Sequence, residues 1–330
     1  MVRTAGNTQR GRRGPLVAAF AAGALILAGC SSQAAGEGAG QSGAPADEVP
    51  VVAVASYPLA FLAKAVGGDQ VIVEDVSTKG DAHHLELTPA QVQAVGKADL
   101  AVHLSGGFQP AIDDAIRVTG VRSLDAMDAV PTGQQIAGDP HIWLNPLLAA
   151  DVADALAAQL SELDPGEANY YESNAASLRE KLEETDREYA EVLAKCQGET
   201  MLTSHEAFGY MAARYDMEQV GVLGVDPDAE PSPARVGEVL QIIGDRGIST
   251  LFVEPSGTHA HDADEDHEDE GHHHSHENQT KLAQTLGVRG VELDPLETQI
   301  DAERDFLAVL HSNLHALSEG LSCAAPLGDH

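Results

Sequence analysis

Histidine and acidic residues occur in this sequence in two arrangements that could each bind metal ions. One is a continuous segment, residues 258–279, in which seven histidines are mixed with aspartate and glutamate. The other consists of single residues, far apart in the sequence, that each lie beside a predicted β-strand. Imidazole nitrogens and carboxylate oxygens are common zinc ligands in proteins. The two arrangements raise the question of which one forms the functional site.

The scattered residues lie where predicted strands and helices meet. His83 follows the second strand in "KGDAHHLELTP", His141 precedes a helix in "GDPHIWLNP", His205 separates a strand from a helix in "LTSHEAFGY", and Asp294 follows the last strand. Residues at the carboxyl ends of parallel strands converge on one crevice in open α/β sheets. We therefore predict one four-ligand site, and three imidazoles with one carboxylate suit Zn²⁺ better than Mn²⁺, which prefers more oxygen.

The remaining histidines have plainer interpretations. His84 competes with His83 as a ligand because the two are adjacent. His103 falls inside a strand and is predicted to be structural. His311 and His315 are four residues apart on a predicted helix, a spacing that can chelate a metal, but a surface role is the simpler prediction. A zinc-protease motif is excluded because Gly209 stands where H-E-x-x-H requires its second histidine.

The acidic, histidine-rich segment is predicted to stay disordered. It has no apolar residue larger than alanine, so it cannot bury enough surface to fold. Ordering such a chain costs about 1–2 kcal/mol per residue in backbone entropy, so its sites should be weaker than a preformed one. We expect the segment to capture zinc and pass the ion to the four-ligand site. The alternative is an inert acidic insert. Its candidate secondary ligands are His259, His261, His267, His272, His273, His274 and His276.

Strands alternate with helices along the rest of the chain, which predicts parallel sheets covered on both faces. The predicted fold class is α/β, with two similar lobes joined by one long spine helix and the metal site in the cleft between them. The predicted lobes span residues 49–163 and 197–330, and the spine helix spans residues 164–196, with Asp164 as its cap. His83 and His141 belong to the first lobe, and His205 and Asp294 belong to the second.

The amino-terminal residues are predicted to be an export signal and a tether. A basic stretch and a short apolar stretch end in "LAGC", which matches the lipobox of bacterial lipoproteins, with Cys30 as the lipidated residue. An ordinary signal peptide with a chance cysteine is the alternative. Residues 1–30 would be the signal and residues 31–48, rich in Gly, Ser and Ala, a flexible tether. We predict a lipid-anchored protein on the extracytoplasmic face of the cell membrane.

Net charge and cysteine content add two further predictions. A formal charge of −33 argues against nucleic acid as a partner and favours attraction for cations. With Cys30 set aside, only Cys196 and Cys323 remain. Two leftover cysteines in an exported protein predict one disulfide, and two free buried thiols are the alternative.

The sequence resembles the zinc- and manganese-binding lipoproteins of cluster A-I, which supply metal to ABC importers. The resemblance covers nearly all of the mature chain and rests on "GDAHHLELTP", "GDPHIWLNP", "TSHEAFGYMA", "FVEP" and "LDPL". It implies a metal between two lobes, held by His83, His141, His205 and Asp294. Ala82 departs from the family's usual proline, which leaves His83 and His84 open as the first ligand. Glu254 in "FVEP" is a candidate supporting carboxylate or alternative ligand.

The resemblance also implies a function. Manganese-selective members carry glutamate where this chain has His205, so zinc is the predicted cargo, with manganese as the alternative. The protein would be a monomer that binds Zn²⁺ outside the cytoplasm and delivers it to an ABC permease without catalysis. A zinc-buffering or adhesion lipoprotein is a second possibility. A zinc hydrolase is a third, but no motif supplies the general base that it would need.

Overall fold

Two parallel four-stranded sheets form the frame of the protein. The structure is a computed structural model, and it describes residues 49–77, 83–227, 229–255 and 281–325. The strand orders are β2-β1-β3-β4 in the first lobe and β6-β5-β7-β8 in the second, so the two sheets have the same topology. The predicted α/β fold with two similar lobes is confirmed.

The first lobe is built on β-branched and apolar strands. Its central strands are buried because helices cover both faces of a parallel sheet. Thr88 and Gln91 form a capping box that starts the second helix. The strands are β1 (Val51–Val54), β2 (Ile72–Asp75), β3 (Leu100–His103) and β4 (Ser123–Asp125), and the helices are α1 (Tyr57–Gly67), α2 (Pro89–Lys97) and α3 (Pro110–Thr119), with short 3₁₀ turns at Gly68–Gln70, Ala126–Ala129 and Ile142–Leu144.

The second lobe repeats the alternation of the first. Ser232 caps one of its helices and Asp305 caps another, each accepting a hydrogen bond from a backbone N–H of the first turn. Residues 281–286 are also helical. The strands are β5 (Thr200–Thr203), β6 (Glu218–Gly221), β7 (Thr250–Val253) and β8 (Arg289–Glu292), and the labelled helices are α6 (Gly209–Arg214), α7 (Pro233–Arg246) and α8 (Phe306–Gly320).

Two packed helices connect the lobes: α4 (Pro146–Leu163) and α5 (Ala168–Val192). The long helix α5 has 25 residues and spans about 38 Å. It begins after the predicted cap because Asp164 instead ends α4, and the Asp164 carboxylate accepts a hydrogen bond from the Gly166 N–H in the intervening turn. Arg179 of α5 forms ion pairs with two aspartates of α4, at 2.6 and 2.7 Å.

One hydrophobic cluster extends through both lobes and the connecting helices. It includes Val52 of β1, Trp143, Leu182 of α5, Phe252 of β7 and Phe306 of α8, all buried. Because a shared core resists the relative movement of the elements that it joins, the two lobes should not swing freely.

A disulfide closes the carboxyl-terminal end of this core. Cys196, just after α5, is bonded to Cys323, just after α8, as the cysteine count predicted. No helix among the described residues combines the length and apolarity that a membrane span requires. The predicted signal, Cys30 and the tether lie outside the described residues.

Candidate metal centre

Three histidines and one glutamate converge in the cleft between the two sheets. His83, His141, His205 and Glu297 each present one potential ligand atom, and these atoms all lie within 4.8 Å of one another. The Nε2 atoms of the three histidines lie 3.2, 3.1 and 3.3 Å from the same oxygen, Oε1 of Glu297. Within the described part of the chain, no other group of three or more histidine, cysteine or acidic residues meets this distance.

His141 is held by the turn that precedes α4. It immediately precedes the 3₁₀ turn Ile142–Leu144, and Asn145 then caps α4 through two backbone N–H groups. Asp139 fixes the imidazole orientation, because its Oδ1 lies 2.9 Å from the His141 backbone N and 2.8 Å from ring Nδ1. The ring is fully buried, and its Nε2 points to the centre of the group. A carboxylate behind a ligating histidine is the usual support in zinc sites.

His205 has the same kind of support from a neighbouring strand. It follows β5, and Glu254 follows the adjacent strand β7, which places Glu254 Oε1 at 2.6 Å from His205 Nδ1. Glu254 therefore contacts the histidine rather than the centre of the group. The His205 ring is fully buried, yet neither nitrogen makes an aligned hydrogen bond with the neighbouring carboxylates. Buried nitrogens in this state fit a metal ion, which would satisfy Nε2.

His83, rather than its neighbour His84, joins the group. The His83 ring packs edge-on against Phe108, with the centroids 4.9 Å apart, and lies 5.4 Å from the His141 ring. Its side chain is only 7% exposed, whereas His84 is an exposed residue. The structure therefore separates two residues that the sequence left as alternatives.

The carboxylate that converges with the three histidines is Glu297, whereas the predicted ligand Asp294 lies outside this group. The Asp294 Oδ1 accepts a hydrogen bond from the Leu296 N–H at 2.7 Å, so this carboxylate stabilises the turn after β8. Asn313 holds the same turn through both the N–H and the C=O of Asp294. Leu296 has φ of 60°, in the left-handed region, and this reversal brings Glu297 to the cleft.

Sequence reasoning missed Glu297 because two carboxylates occur within four residues after the same strand. Its signal was present in the continuation "LDPLE", where a turn-forming Asp-Pro pair precedes a second acidic residue. An aspartate before proline commonly caps a turn, which leaves the later carboxylate to project from it.

A hydrogen bond between the lobes connects the two sides of the cleft. The Trp143 indole N–H donates to the Pro295 carbonyl at 2.8 Å, and both groups are buried. Trp143 is two residues from His141, and Pro295 is two residues from Glu297. This bond therefore links the segment that carries His141 to the turn that carries Glu297.

The charges in the cleft are strongly coupled. Burial alone would raise the pKa of Glu297, but the three imidazoles close to its carboxylate outweigh burial and hold that pKa well below its usual value. Burial lowers the pKa values of His141 and His205, yet the carboxylates around them reverse the effect. The pKa of His141 is raised, and that of His205 is raised to about 10. Without a metal, the cluster therefore retains protons that a cation would displace.

Asp294 behaves differently from Glu297. Burial raises the pKa of Asp294 to about 6, and the nearby negative charge of Glu297 adds to this effect. No imidazole offsets the burial of Asp294, whereas three imidazoles surround the Glu297 carboxylate.

Of the predicted ligands, the structure brings together His83, His141 and His205, whereas Asp294 supports the turn that carries Glu297. His103 instead pairs with Asp113, at 2.9 Å. The secondary histidines lie outside the described residues: His259, His261, His267, His272, His273, His274 and His276.

Comparisons with known proteins point to zinc uptake. The chain is 28% identical over 320 residues to the zinc-binding lipoprotein AdcA of Streptococcus pneumoniae, which covers 90% of this chain and 58% of AdcA. It is 25% identical over 321 residues to the high-affinity zinc uptake system protein ZnuA of Bacillus subtilis, covering 90% of this chain and 94% of that protein. The chain thus spans less than two thirds of AdcA but nearly all of ZnuA.

The fold comparison agrees with the sequence comparison. The crystal structure of Zn(II)-bound AdcA from Streptococcus pneumoniae has a TM-score of 0.67 with this chain, at 27% identity, covering 83% of this chain and 58% of AdcA. The family model described as "ZnuA: Zinc-uptake complex component A periplasmic" matches residues 52–320. The match covers most of both lobes and includes all four converging residues, so the chain belongs to the ZnuA family of zinc-uptake components.

Proposed function

We propose that the protein binds Zn²⁺ in the cleft through His83, His141, His205 and Glu297 and delivers it to the permease of an ABC importer. The observation that carries the proposal is the convergence of three buried imidazole nitrogens on one carboxylate, with ligands from both lobes. Four protein ligands of this kind complete a tetrahedral zinc shell. The ion is cargo, so the site has to bind it tightly and still allow its release.

The donor set supports zinc over manganese. Three nitrogens and one carboxylate match the borderline-soft Zn²⁺, whereas Mn²⁺ is favoured by sites with more oxygen. The His205 side chain is fully buried, and its Nε2 is directed at the Glu297 carboxylate in the centre of the group. The imidazole that favours zinc over manganese therefore lies where it can contact the ion.

The cleft is suited to capture rather than to catalysis. A catalytic zinc site usually has three protein ligands and an open position for water. Here a fourth protein ligand lies at the centre, and the carboxylates Asp139 and Glu254 contact histidine nitrogens instead of facing a position for water.

Release requires the two lobes to separate locally at the cleft. The shared core and the Trp143–Pro295 bond oppose a large hinge motion. The Glu297 turn lies outside any strand or helix, and hydrogen bonds with Asn313 and Trp143 hold it in place. We propose that contact with the permease displaces this turn, which reduces the ligand set to three histidines and weakens binding.

The proposal has three further parts. The protein is anchored by a lipid on Cys30 at the extracytoplasmic face, it is a monomer, and residues 258–279 capture zinc. Deletion of Thr258–Gln279 should leave one tight zinc site while weaker sites disappear. Loss of the tight site in this variant would show that the segment, rather than the cleft, holds the cargo.

The central experiment measures zinc and manganese binding to a chain that lacks residues 1–30. The measurement is made with and without residues 258–279. We expect one tight zinc equivalent per chain, and a competing excess of Mn²⁺ should not displace it. A His205→Ala variant should lose this equivalent, and cells that produce it in place of the wild type should lose high-affinity zinc uptake. Normal uptake in those cells would instead favour a buffering or adhesion role.

A further inference from the structure

A second pair of histidines lies outside the cleft, on the exposed side of α8. His311 and His315 are one helical turn apart, and their ring centroids are separated by 5.0 Å with an interplanar angle of 73°. Residues four apart on a helix project from the same face, so both rings can approach one ion. Both residues are exposed, and a neighbouring side of α8 packs into the core through Leu310 and Leu314.

A carboxylate from the spine helix completes this group. Oε2 of Glu188, on α5, lies 3.5 Å from Nδ1 of His311, and the two side chains are 43% and 55% exposed. With Glu188 at Nδ1, the Nε2 atom of His311 can face a metal ion. Support of one ring nitrogen by a carboxylate is the arrangement that orients histidine ligands in zinc sites.

The two helices are held rigidly at this point. The Tyr189 hydroxyl, next to Glu188, donates to the Leu310 carbonyl, next to His311, at 2.6 Å. Tyr189 and Leu310 are each 1% exposed, so the bond is shielded from water. The backbones that carry Glu188 and His311 are therefore fixed relative to each other, and only side-chain rotation is needed to bring the donors together.

We propose that His311 and His315, supported by Glu188, form a second site for a divalent transition-metal ion of the zinc class. Water would complete the coordination, because the two imidazoles are the protein ligands and Glu188 supports one of them. The site should be weaker than the cleft, since its ligands are exposed and lose side-chain freedom on binding. Occupation would connect the spine helix to α8 on the side of the protein that the cleft ligands do not use.

The test is a Zn²⁺ titration of the full chain followed by the NMR signals of the individual imidazoles. Spectra of His311→Ala and His315→Ala identify the two signals, and both residues are exposed, so these variants should fold. After the first zinc equivalent, the two signals should shift together. In each single variant, the remaining signal should need about 100-fold more zinc, because a chelate gains a high effective concentration that a lone imidazole lacks.

The single and double variants separate chelation from independent binding. In a chelate, either single substitution weakens binding by nearly as much as both together. The proposal would be overturned if the His311 signal of the wild type and that of His315→Ala shifted at the same zinc concentration. It would also be overturned if the wild-type signals did not shift at zinc concentrations that already shift the signals of the single variants. A Glu188→Gln variant should weaken the site by about tenfold, with Glu188→Ala at least as weak. An unchanged affinity in both would remove Glu188 from the site.

Discussion

The cleft and the outer α5–α8 face use the same donor types in contrasting ways. In the cleft, the proposed ligands come from four distant chain segments, are buried or nearly buried, and rest on strand ends and tight turns. On the outer face, two ligands come from one helix, remain exposed, and depend on one neighbouring carboxylate. The cleft should therefore bind an ion more tightly than the outer face, since less entropy is lost on binding when the fold fixes the ligands before the ion arrives.

The largest effect should come from His83→Ala, with His84→Ala as the matched control. Four-ligand zinc sites are worth about 10–16 kcal/mol, so the loss of one ligand should weaken binding by about a hundredfold to a thousandfold. His84 is exposed and outside the group, so its removal should leave the affinity within about twofold. Competition with a zinc chelator measures the zinc affinity of both variants. Equal losses would mean that the two adjacent imidazoles share the site.

Glu297→Gln and Asp294→Asn test which carboxylate holds the ion. The glutamine removes the negative charge from the centre of the group and should weaken zinc binding by about a hundredfold. The asparagine can still accept the Leu296 N–H bond, so a loss of about tenfold or less is expected. The reverse order of the two losses, measured by calorimetry, would restore Asp294 as the ligand.

Acidification should weaken the cleft site steeply. The pKa values of His141 and His205 are raised, so protons stay on the metal-free cluster at neutral pH and compete with zinc. Affinity should fall by about tenfold per pH unit for each displaced proton. Calorimetry in buffers with different ionisation enthalpies counts these protons, and a count of zero at pH 7 would contradict the cluster described above.

The same pKa shifts predict how the stability of the metal-free protein depends on pH. A pKa that is higher in the folded than in the unfolded state stabilises the folded state fully below the unfolded value and progressively less above it. For His205 this window runs from about pH 6.5 to about pH 10. The thermal midpoint of the metal-free protein should therefore fall across this range, and zinc should remove most of that decrease.

Glu254→Gln and Asp139→Asn should have intermediate effects. Each carboxylate orients one histidine from behind, so its amide variant should reduce zinc affinity by about 10- to 100-fold without changing the stoichiometry. The orientation role is tested by the dissociation rate of zinc, which should rise in both variants. A change in stoichiometry would indicate that one of these carboxylates is itself a ligand.

The smallest effect on the cleft should come from replacing Cys196 and Cys323 with serine. The disulfide joins the ends of α5 and α8 across 127 residues, so its loss should reduce the free energy of unfolding by about 2–5 kcal/mol. Zinc affinity in the cleft should stay within about twofold, because the cleft ligands rest on other elements. Zinc binding by His311 and His315 should weaken more than zinc binding in the cleft, since these two residues depend on the docking of α8 against α5.

Much of the protein could be predicted from its sequence alone. The alternation of strands and helices fixed the fold class, because parallel sheets need apolar strands covered by amphipathic helices. The three histidines of the cleft were identified because each stands at the end of a strand or the start of a helix, where the chain must pass the crevice. The disulfide partners followed from the presence of two leftover cysteines.

Only the tertiary structure decided between neighbouring candidates. His83 and His84 differ by one position, and the His83 ring is directed by its packing against Phe108. Asp294 and Glu297 both follow β8, and the left-handed turn at Leu296, locked by Asn313 and Trp143, determines which carboxylate enters the cleft. These contacts join residues 19 to 152 positions apart or depend on one backbone reversal, so no local pattern in the sequence could determine them.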